Sequence, residues 1–484
     1  MPENPESETP NKQDNALKRA WRKLRQHWYL MAIAIAMPVL LIGAVITSLI
    51  LNNTKKPQVC GYDTGYTCQT GDVMKNITFK CSPDEQNQWY RTDQSLTIDP
   101  TNPDVMYVSV EWKGVYKTTD GGKTWQQKTK GIRVYASKED TSKGCYSEYP
   151  VMRIDPFDHN HIVIAISGGG GGYLDATSPN GQTGGVYQTF DGGENWQLMI
   201  NNHMNRYVND IAIDPVQKGT VYYATSSIPG SFTEADQSKL FVSKGLVYKT
   251  TDYGKTWTEL PTGIGNQTNA RYIFINPKNN QELIVPTWSA QRLSADGTGT
   301  GHSTGKDTNA VKQLGVLKSL DGGKTWQQAY GSYQDYPWLY TYVAPQDFNH
   351  MYSVLTEKAG ETSVYGIAIT DGKTPTKTKY IDLAVYDPFD PTANHLLGFT
   401  TVIVGPNSEN FNLWESNDGG LNWHRYGTLP SEYNDFNSPL RPSKIVWSPT
   451  DHNTVFMSGG GGHVWKSTDM GKTWVSILDY TKLQ

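Results

Sequence analysis

Six copies of the octad Ser/Thr-x-Asp-x-Gly-x-x-Trp punctuate this chain, at 118–125, 189–196, 250–257, 319–326, 416–423 and 467–474. Each follows a short apolar-aromatic run, such as Gly-Val-Tyr-Lys at 114–117 or His-Val-Trp-Lys at 463–466. A strand that enters an Asp-x-Gly turn and leaves through a Trp predicts a β-hairpin with a clamp. Glycine tolerates the positive φ of a tight turn, and the carboxylate accepts turn N–H groups. The indole packs between neighbouring sheets. Self-similarity at a fixed period means that the fold is to be read from the repeat.

A second repeat precedes each octad: an apolar strand, a Pro turn, then another apolar strand. Examples are 96–100 with 105–110, 152–156 with 162–166, and 445–449 with 455–458, and the chain carries seven such pairs. Each unit therefore reads strand A, Pro turn, strand B, variable loop, strand C, Asp-x-Gly turn, strand D. Seven units of four antiparallel strands predict an all-β, seven-bladed β-propeller over residues 94–484, in preference to an open solenoid or a sandwich. The unit beginning at Thr341 keeps only the remnant Thr370-Asp371-Gly372, a turn without its Trp.

Residues 29–51 are almost wholly apolar, enough at about 1.5 Å per residue to cross a hydrocarbon core of about 30 Å. Lys18, Arg19, Arg22, Lys23 and Arg25 precede this run, and only Lys55 and Lys56 follow it closely. That asymmetry predicts an uncleaved signal-anchor, with a polar cytoplasmic tail (1–28) inside and the propeller outside. A stalk (52–93) then holds Cys60, Cys68 and Cys81, and Cys145 lies in the loop after the first blade. All four would face an oxidising compartment, which favours two disulfides over a zinc site. The expected pairs are Cys60 with Cys68 and Cys81 with Cys145. A formal net charge of −4 and no basic stripe beyond the membrane flank argue against a nucleic-acid partner.

The connectivity sorts the loops. C–D octad turns lie on one face, while B–C and D–A loops lie on the other and carry nearly all the length variation, as at 168–185, 226–245 and 287–315. Variable loops on a rigid scaffold are the expected binding face. Candidate ligand-binding residues there are Trp112, Tyr149, Tyr173, Trp288, Tyr336 and Trp338, which suit stacking on sugars or peptides, with Arg153 and Arg271 near the starts of A strands. His159, His161, His350, His395 and His452 recur near the A–B turns, a placement that indicates turn chemistry rather than metal ligation. No cofactor motif is present.

The octad resembles the Asp-box, or BNR, repeat of sialidases, sortilin-type receptors, photosystem II assembly-factor propellers and xyloglucan-cleaving glycoside hydrolases. In those families the box is structural, which makes Asp120, Asp191, Asp252, Asp321, Asp418 and Asp469 turn stabilisers. A sialidase needs an Arg triad; Arg133, Arg153, Arg206, Arg271 and Arg441 lie in or near the relevant loops, but the family's Arg-Ile-Pro segment is absent. The stretch Tyr-Val-Ser-Val-Glu-Trp-Lys-Gly-Val-Tyr at 107–116 looks similar to the xyloglucanase segment holding the base carboxylate, which puts Glu111 at that position. Those enzymes have Asp and a Gly pair there, and a second propeller supplies their acid. Glu148, Asp175, Asp210, Asp335 and Glu357 are the loop acids on offer here as a partner. The expectation is a membrane-anchored, extracytoplasmic propeller that binds a glycan or partner protein. The alternatives are a glycoside hydrolase using Glu111 and an assembly or scaffolding factor.

Overall fold

The computed structural model describes residues 21–23 and 25, 73–79, 95–110, 113–132, 134–137, 144–145, 151–166, 185–199, 208–225, 247–264, 268–289, 315–331, 338–356, 364–400, 412–430, 442–459, 462–479 and 483. Residues 21–23 and 25 are helical. The apolar segment 29–51 and Cys60, Cys68 and Cys81 lie outside the described residues. Among the described residues no helix is long and apolar enough to cross a membrane.

Seven antiparallel sheets follow one another at 97–127, 151–199, 208–259, 268–329, 338–378, 383–428 and 442–479. Within each, the strands pair in the chain order A-B-C-D. In blade 4 strand A is broken into Thr268–Ala270 and Phe274–Asn276, both paired with the long B strand Asn279–Ser289. The A strands of neighbouring blades touch one another, which puts strand A innermost. The Pro turns form because an Asx side chain caps the turn that follows it. Asp99 Oδ1 accepts the Thr101 N–H at 2.8 Å, and Asp155, Asp214 and Asp387 do the same two residues on.

Each octad turn is closed by its own side chains. In the first, Thr118 Oγ1 donates to Asp120 Oδ1 at 2.7 Å and accepts the Gly122 N–H at 3.0 Å. Asp120 also accepts the Thr124 N–H at 2.9 Å and its hydroxyl at 2.6 Å. The octad glycine has φ between 80° and 94° in all six copies, so only glycine adopts it without strain. The residue after the Asp also has positive φ, and at two octads it is Tyr253 (φ 60°) or Met470 (φ 59°). Tyr253 is held there by His161 and Phe190, with ring centroids at 5.2 and 5.6 Å. The remnant turn in blade 5 is one residue shorter: Asp371 accepts from Thr374, three residues on, and Ile369 stands where the other octads have Ser or Thr. Octad backbone N–H groups donate to the A–B turns of the same blade, as Gly121 does to Asp104 O at 3.1 Å and Gly419 to Asn394 O at 2.9 Å. Octads and Pro turns therefore share one face, and the B–C and D–A connections leave from the other.

Seven buried apolar clusters lie between successive blades, and the last joins blade 7 to blade 1. There Phe456, Val464 and Leu478 meet Leu96, Met106, Val108 and Tyr116. Trp125 Nε1 donates across that joint to Ile477 O at 2.8 Å, and Lys444 Nζ to Leu96 O at 2.8 Å. The ring is closed, and every blade is built from its own strands. Each octad Trp belongs to the cluster shared with the preceding blade: Trp196 with blade 1, Trp257 with blade 2, Trp326 with blade 3, Trp423 with blade 5 and Trp474 with blade 6. The stalk contributes a strand, Val73–Phe79, which runs parallel to Val134–Ser137 in the connection between blades 1 and 2. That strand pairs in turn with Gly144–Cys145.

Trp196 is 3% exposed and its indole N–H reaches Lys128 O at 2.8 Å. Trp196→Ala should therefore cost about 3–5 kcal/mol in urea unfolding, and Trp257→Ala, at a partly buried indole, clearly less. The octad carboxylates add a pH dependence. Hydrogen bonds from the Thr325 hydroxyl and N–H hold Asp321 down to about 2. At Asp252 burial is the largest single influence and acts upward, and the hydrogen bonds from Thr256, Thr250 and Lys255 together outweigh it, again giving about 2. The unfolded value is about 3.9. With the folded value below the unfolded one, this stabilisation is complete above about pH 4 and is lost as pH falls through about 2. The thermal midpoint should drop steeply across that window, with a shallower slope in Asp252→Asn/Asp321→Asn.

Candidate functional site

The inner strands are mostly apolar, and a few charged residues interrupt them. Strand A of blade 2 (Val151–Asp155) carries Arg153, that of blade 3 (Val208–Ile213) carries Asp210, and that of blade 7 (Pro442–Trp447) carries Lys444. Arg153 Nη2 donates to Asp210 Oδ1 at 2.9 Å, while Asp210 Oδ2 accepts the Ile273 N–H of blade 4 at 3.1 Å. Burial pushes the Asp210 carboxyl above its ordinary range, and the Arg153 charge acts against that push. Burial also drives the Lys444 amine down to about 7; the like charge of Arg153 adds to this and Asp210 opposes it. With the Lys444–Leu96 bond, this charged group ties blades 1, 2, 3, 4 and 7 together on the channel side.

Arg271 sits in the break of the blade 4 A strand, its guanidinium 5.5 Å from the Tyr272 ring centroid and 6.0 Å from that of Tyr340. Tyr342 donates to Asp382 O at 2.9 Å, joining blades 5 and 6. The two arginines expected near A-strand starts are thus both on inner strands. Arg153 is engaged with Asp210, and Arg271 packs among tyrosines.

Trp338, expected on the binding face, is instead fully buried between blades 4 and 5, with its ring centroid 6.0 Å from that of Tyr330. It begins strand Trp338–Val343, and a register shift between Trp338 and Tyr340 puts it on the side facing blade 4 while Tyr340 and Tyr342 pack on the side facing blade 6. Trp288 lies on the B strand opposite Asn269. Glu111, Trp112, Tyr149, Tyr173 and Tyr336 lie outside the described residues, as do Arg133, Arg206, Arg441, Glu148, Asp175, Asp335 and Glu357. The strands flanking Glu111, Met106–Val110 and Gly114–Thr118, pair up to Val110 opposite Gly114 and so end on the face away from the octads. The turn histidines bond turn aspartates: His161 Nδ1 is 2.7 Å from Asp155, His350 Nδ1 3.1 Å from Asp347, and His159 Nδ1 3.0 Å from Asp99. The Arg153–Asp210–Lys444 group escapes sequence reasoning because its members are far apart in the chain. The available signal is a lone charge in an otherwise apolar inner strand.

No protein-family profile matches the chain. Among curated proteins it is similar to the xyloglucanase Xgh74A of Acetivibrio thermocellus, 23% identical over 344 residues, covering 66% of this chain and 33% of that protein. It is also similar to a sialidase of Bacteroides fragilis, 24% identical over 239 residues, 47% of this chain and 36% of that one. The chain thus spans about a third of the length of these curated relatives. Among solved structures, the GH74 xyloglucanase of Xanthomonas campestris superposes with a TM-score of 0.54 at 13% identity, over 86% of this chain and 56% of that one. An ancestral GH74 enzyme gives 0.53 at 15% identity, over 81% and 47%. With the octads and the closed ring, these likenesses define the class: a seven-bladed β-propeller of the BNR, or Asp-box, type.

Arg153→Ala would leave the Asp210 carboxylate buried without its counter-charge and should cost about 3 kcal/mol in urea unfolding. Arg153→Ala/Asp210→Asn should recover much of that loss, because the neutral amide needs no cation.

Proposed function

We propose that this propeller is a glycoside hydrolase acting on a β-glucan of the xyloglucan class, laid across the face opposite the octads. Glu111 is one of its carboxylates. The observation that carries this reading is the similarity to a xyloglucanase along two thirds of the chain, joined to an acid at the B–C corner of blade 1. Hydrolysis needs two carboxylates about 5–10 Å apart across the scissile bond. The second comes from the long loops, where Glu148, Asp175, Asp335 and Glu357 are the candidates. Trp112, Tyr149, Tyr173, Trp288 and Tyr336 offer aromatic faces for the sugar rings.

A second reading keeps the glycan, or a partner protein, and drops the turnover. It is supported by the apolar segment 29–51 with its basic flank, which would tether the propeller outside a membrane as a receptor or scaffold. The full-length chain, assayed on xyloglucan, mixed-linkage glucan and sialosides, separates the two. The hydrolase reading expects new reducing ends from xyloglucan, lost by about 10²-fold or more in Glu111→Gln while xyloglucan binding persists. Saturable binding without turnover in either form would establish the receptor. Absence of both would leave a protein partner, sought by crosslinking in membranes.

A further inference from the structure

On the octad face, at the corner between blades 6 and 7, one carboxylate oxygen receives two imidazoles. Asp387 ends strand Leu383–Tyr386 and opens the Pro turn, with Oδ1 accepting the Phe389 N–H at 2.8 Å. Its Oδ2 lies 2.7 Å from His395 Nδ1, in the same blade, and 2.7 Å from His452 Nε2, in the A–B turn of blade 7. The equivalent turns at Asp155, Asp347 and Asp99 each have one histidine on the carboxylate. The histidine on Asp99, His159, is itself brought in from the next blade, so what sets Asp387 apart among these turns is that one oxygen takes both a same-blade and a next-blade imidazole.

Each of the three donors is also oriented from behind. His395 Nε2 is 3.0 Å from Glu415 Oε1, and Glu415 Oε2 is 2.7 Å from His424 Nε2. The His452 ring lies parallel to Trp447 (interplanar angle 7°), and Trp447 Nε1 donates to His452 O at 2.8 Å. Gln346 Nε2 donates to the Asp387 carbonyl at 2.8 Å. An imidazole whose far nitrogen gives its proton to a carboxylate presents the near nitrogen as a lone pair, the usual arrangement behind a metal-bound histidine.

We propose that Asp387, His395 and His452 form a binding site for a divalent transition-metal cation of the zinc type, bridging blades 6 and 7. The three donor atoms lie within 4.8 Å of one another. Two imidazole nitrogens and one carboxylate oxygen suit Zn²⁺, Cu²⁺ or Ni²⁺ rather than Ca²⁺ or Mg²⁺, which prefer all-oxygen sets. Metal–ligand distances of about 2.1 Å in a tetrahedral site separate donors by about 3.4 Å. The pairs at 2.7 Å must therefore open by about 0.7 Å to reach that tetrahedral separation. The His452 side chain, 46% exposed and on a turn, and the His395 side chain, 13% exposed, would both draw back from Asp387, which is 3% exposed. On binding, the protons shared with Oδ2 give way to the cation and pass to solvent, and the fourth position faces water beside His452.

The test is zinc titration of the EDTA-stripped full-length chain by calorimetry, with Co²⁺ absorption as a second readout. One site per chain is expected, together with a zinc-dependent rise in Tm and visible Co²⁺ bands of a nitrogen–oxygen site. His452→Ala should weaken binding by about 100-fold or more and abolish the Tm response, while His159→Ala, at a one-histidine turn, keeps both. His452→Gln, which keeps a hydrogen-bond donor for Asp387, separates loss of a ligand from loss of folding and should also fail to bind. No zinc binding by the wild type, or equal binding by wild type and both His452 variants, overturns the proposal.

Discussion

The contact on which the ring depends is the packing of each blade against its predecessor, with the octad indole at one end of the joint. A four-stranded blade with buried residues on both faces has no stable existence alone, so each sheet is completed only by its two neighbours. At the joint between blades 7 and 1, the Trp125 indole reaches the outer strand of blade 7, and Gly122 packs where a β-carbon would come within 2.8 Å of Ile477 Cδ1. The glycine thus does two things at once. Its φ of 91° lets the turn close, and its missing side chain lets the neighbouring blade in. Blade 5, with its short remnant turn, shows what happens without the indole: Phe348, from the Pro turn on the same face, takes a place in the cluster shared with blade 4.

This economy of joints constrains where chemistry can sit. Around the channel Arg153 is matched to Asp210, and the Tyr272 and Tyr340 rings lie beside the Arg271 guanidinium. The inner strands therefore hold the ring together more than they solicit a ligand. Under the proposed function, substrate selection falls to the long connections on the face away from the octads. Their backbones start and end on rigid strands, so their tips can vary without disturbing any joint. Glu111 belongs to a short B–C corner rather than to a long insertion. The strands before and after it pair up to Val110 opposite Gly114, which under the proposed function suits a group that must hold a fixed distance from the bond it acts on.

The blade order was legible in the sequence because octads and Pro turns are local: Asp120 and its partners Thr118 and Thr124 span seven residues. The closed joint between blades 7 and 1 followed from the count of units, not from any residue near it. Side-chain exposure was harder. Trp338 reads as a surface aromatic because it follows a loop containing Tyr333 and Tyr336, yet a register shift just after it turns it into the blade 4–5 joint. The pairing of Arg153 with Asp210 was not legible, because it depends on how far neighbouring blades are rotated about the axis. No linear pattern encodes that rotation.

The same geometry accounts for the corner between blades 6 and 7. On the octad face the octad carboxylates are saturated locally: each takes hydrogen bonds from its own Ser or Thr and from the residue four on, leaving little capacity to offer a ligand. Pro-turn carboxylates reach across joints, as Asp99 does to His159 and Asp214 to Asn280, and Asp387 differs in that a single oxygen meets two imidazoles, one of them 65 positions away. A link of that kind adds nothing to the turn that Asp387 and His395 already close. Its effect falls on the joint, which also contains Trp447 and Trp474. A cation held there would bind two blades at the face where the indoles already hold them, and would leave the loop-bearing face unchanged. The scaffold's stability and its recognition surface could then respond to different ligands through opposite faces of one ring.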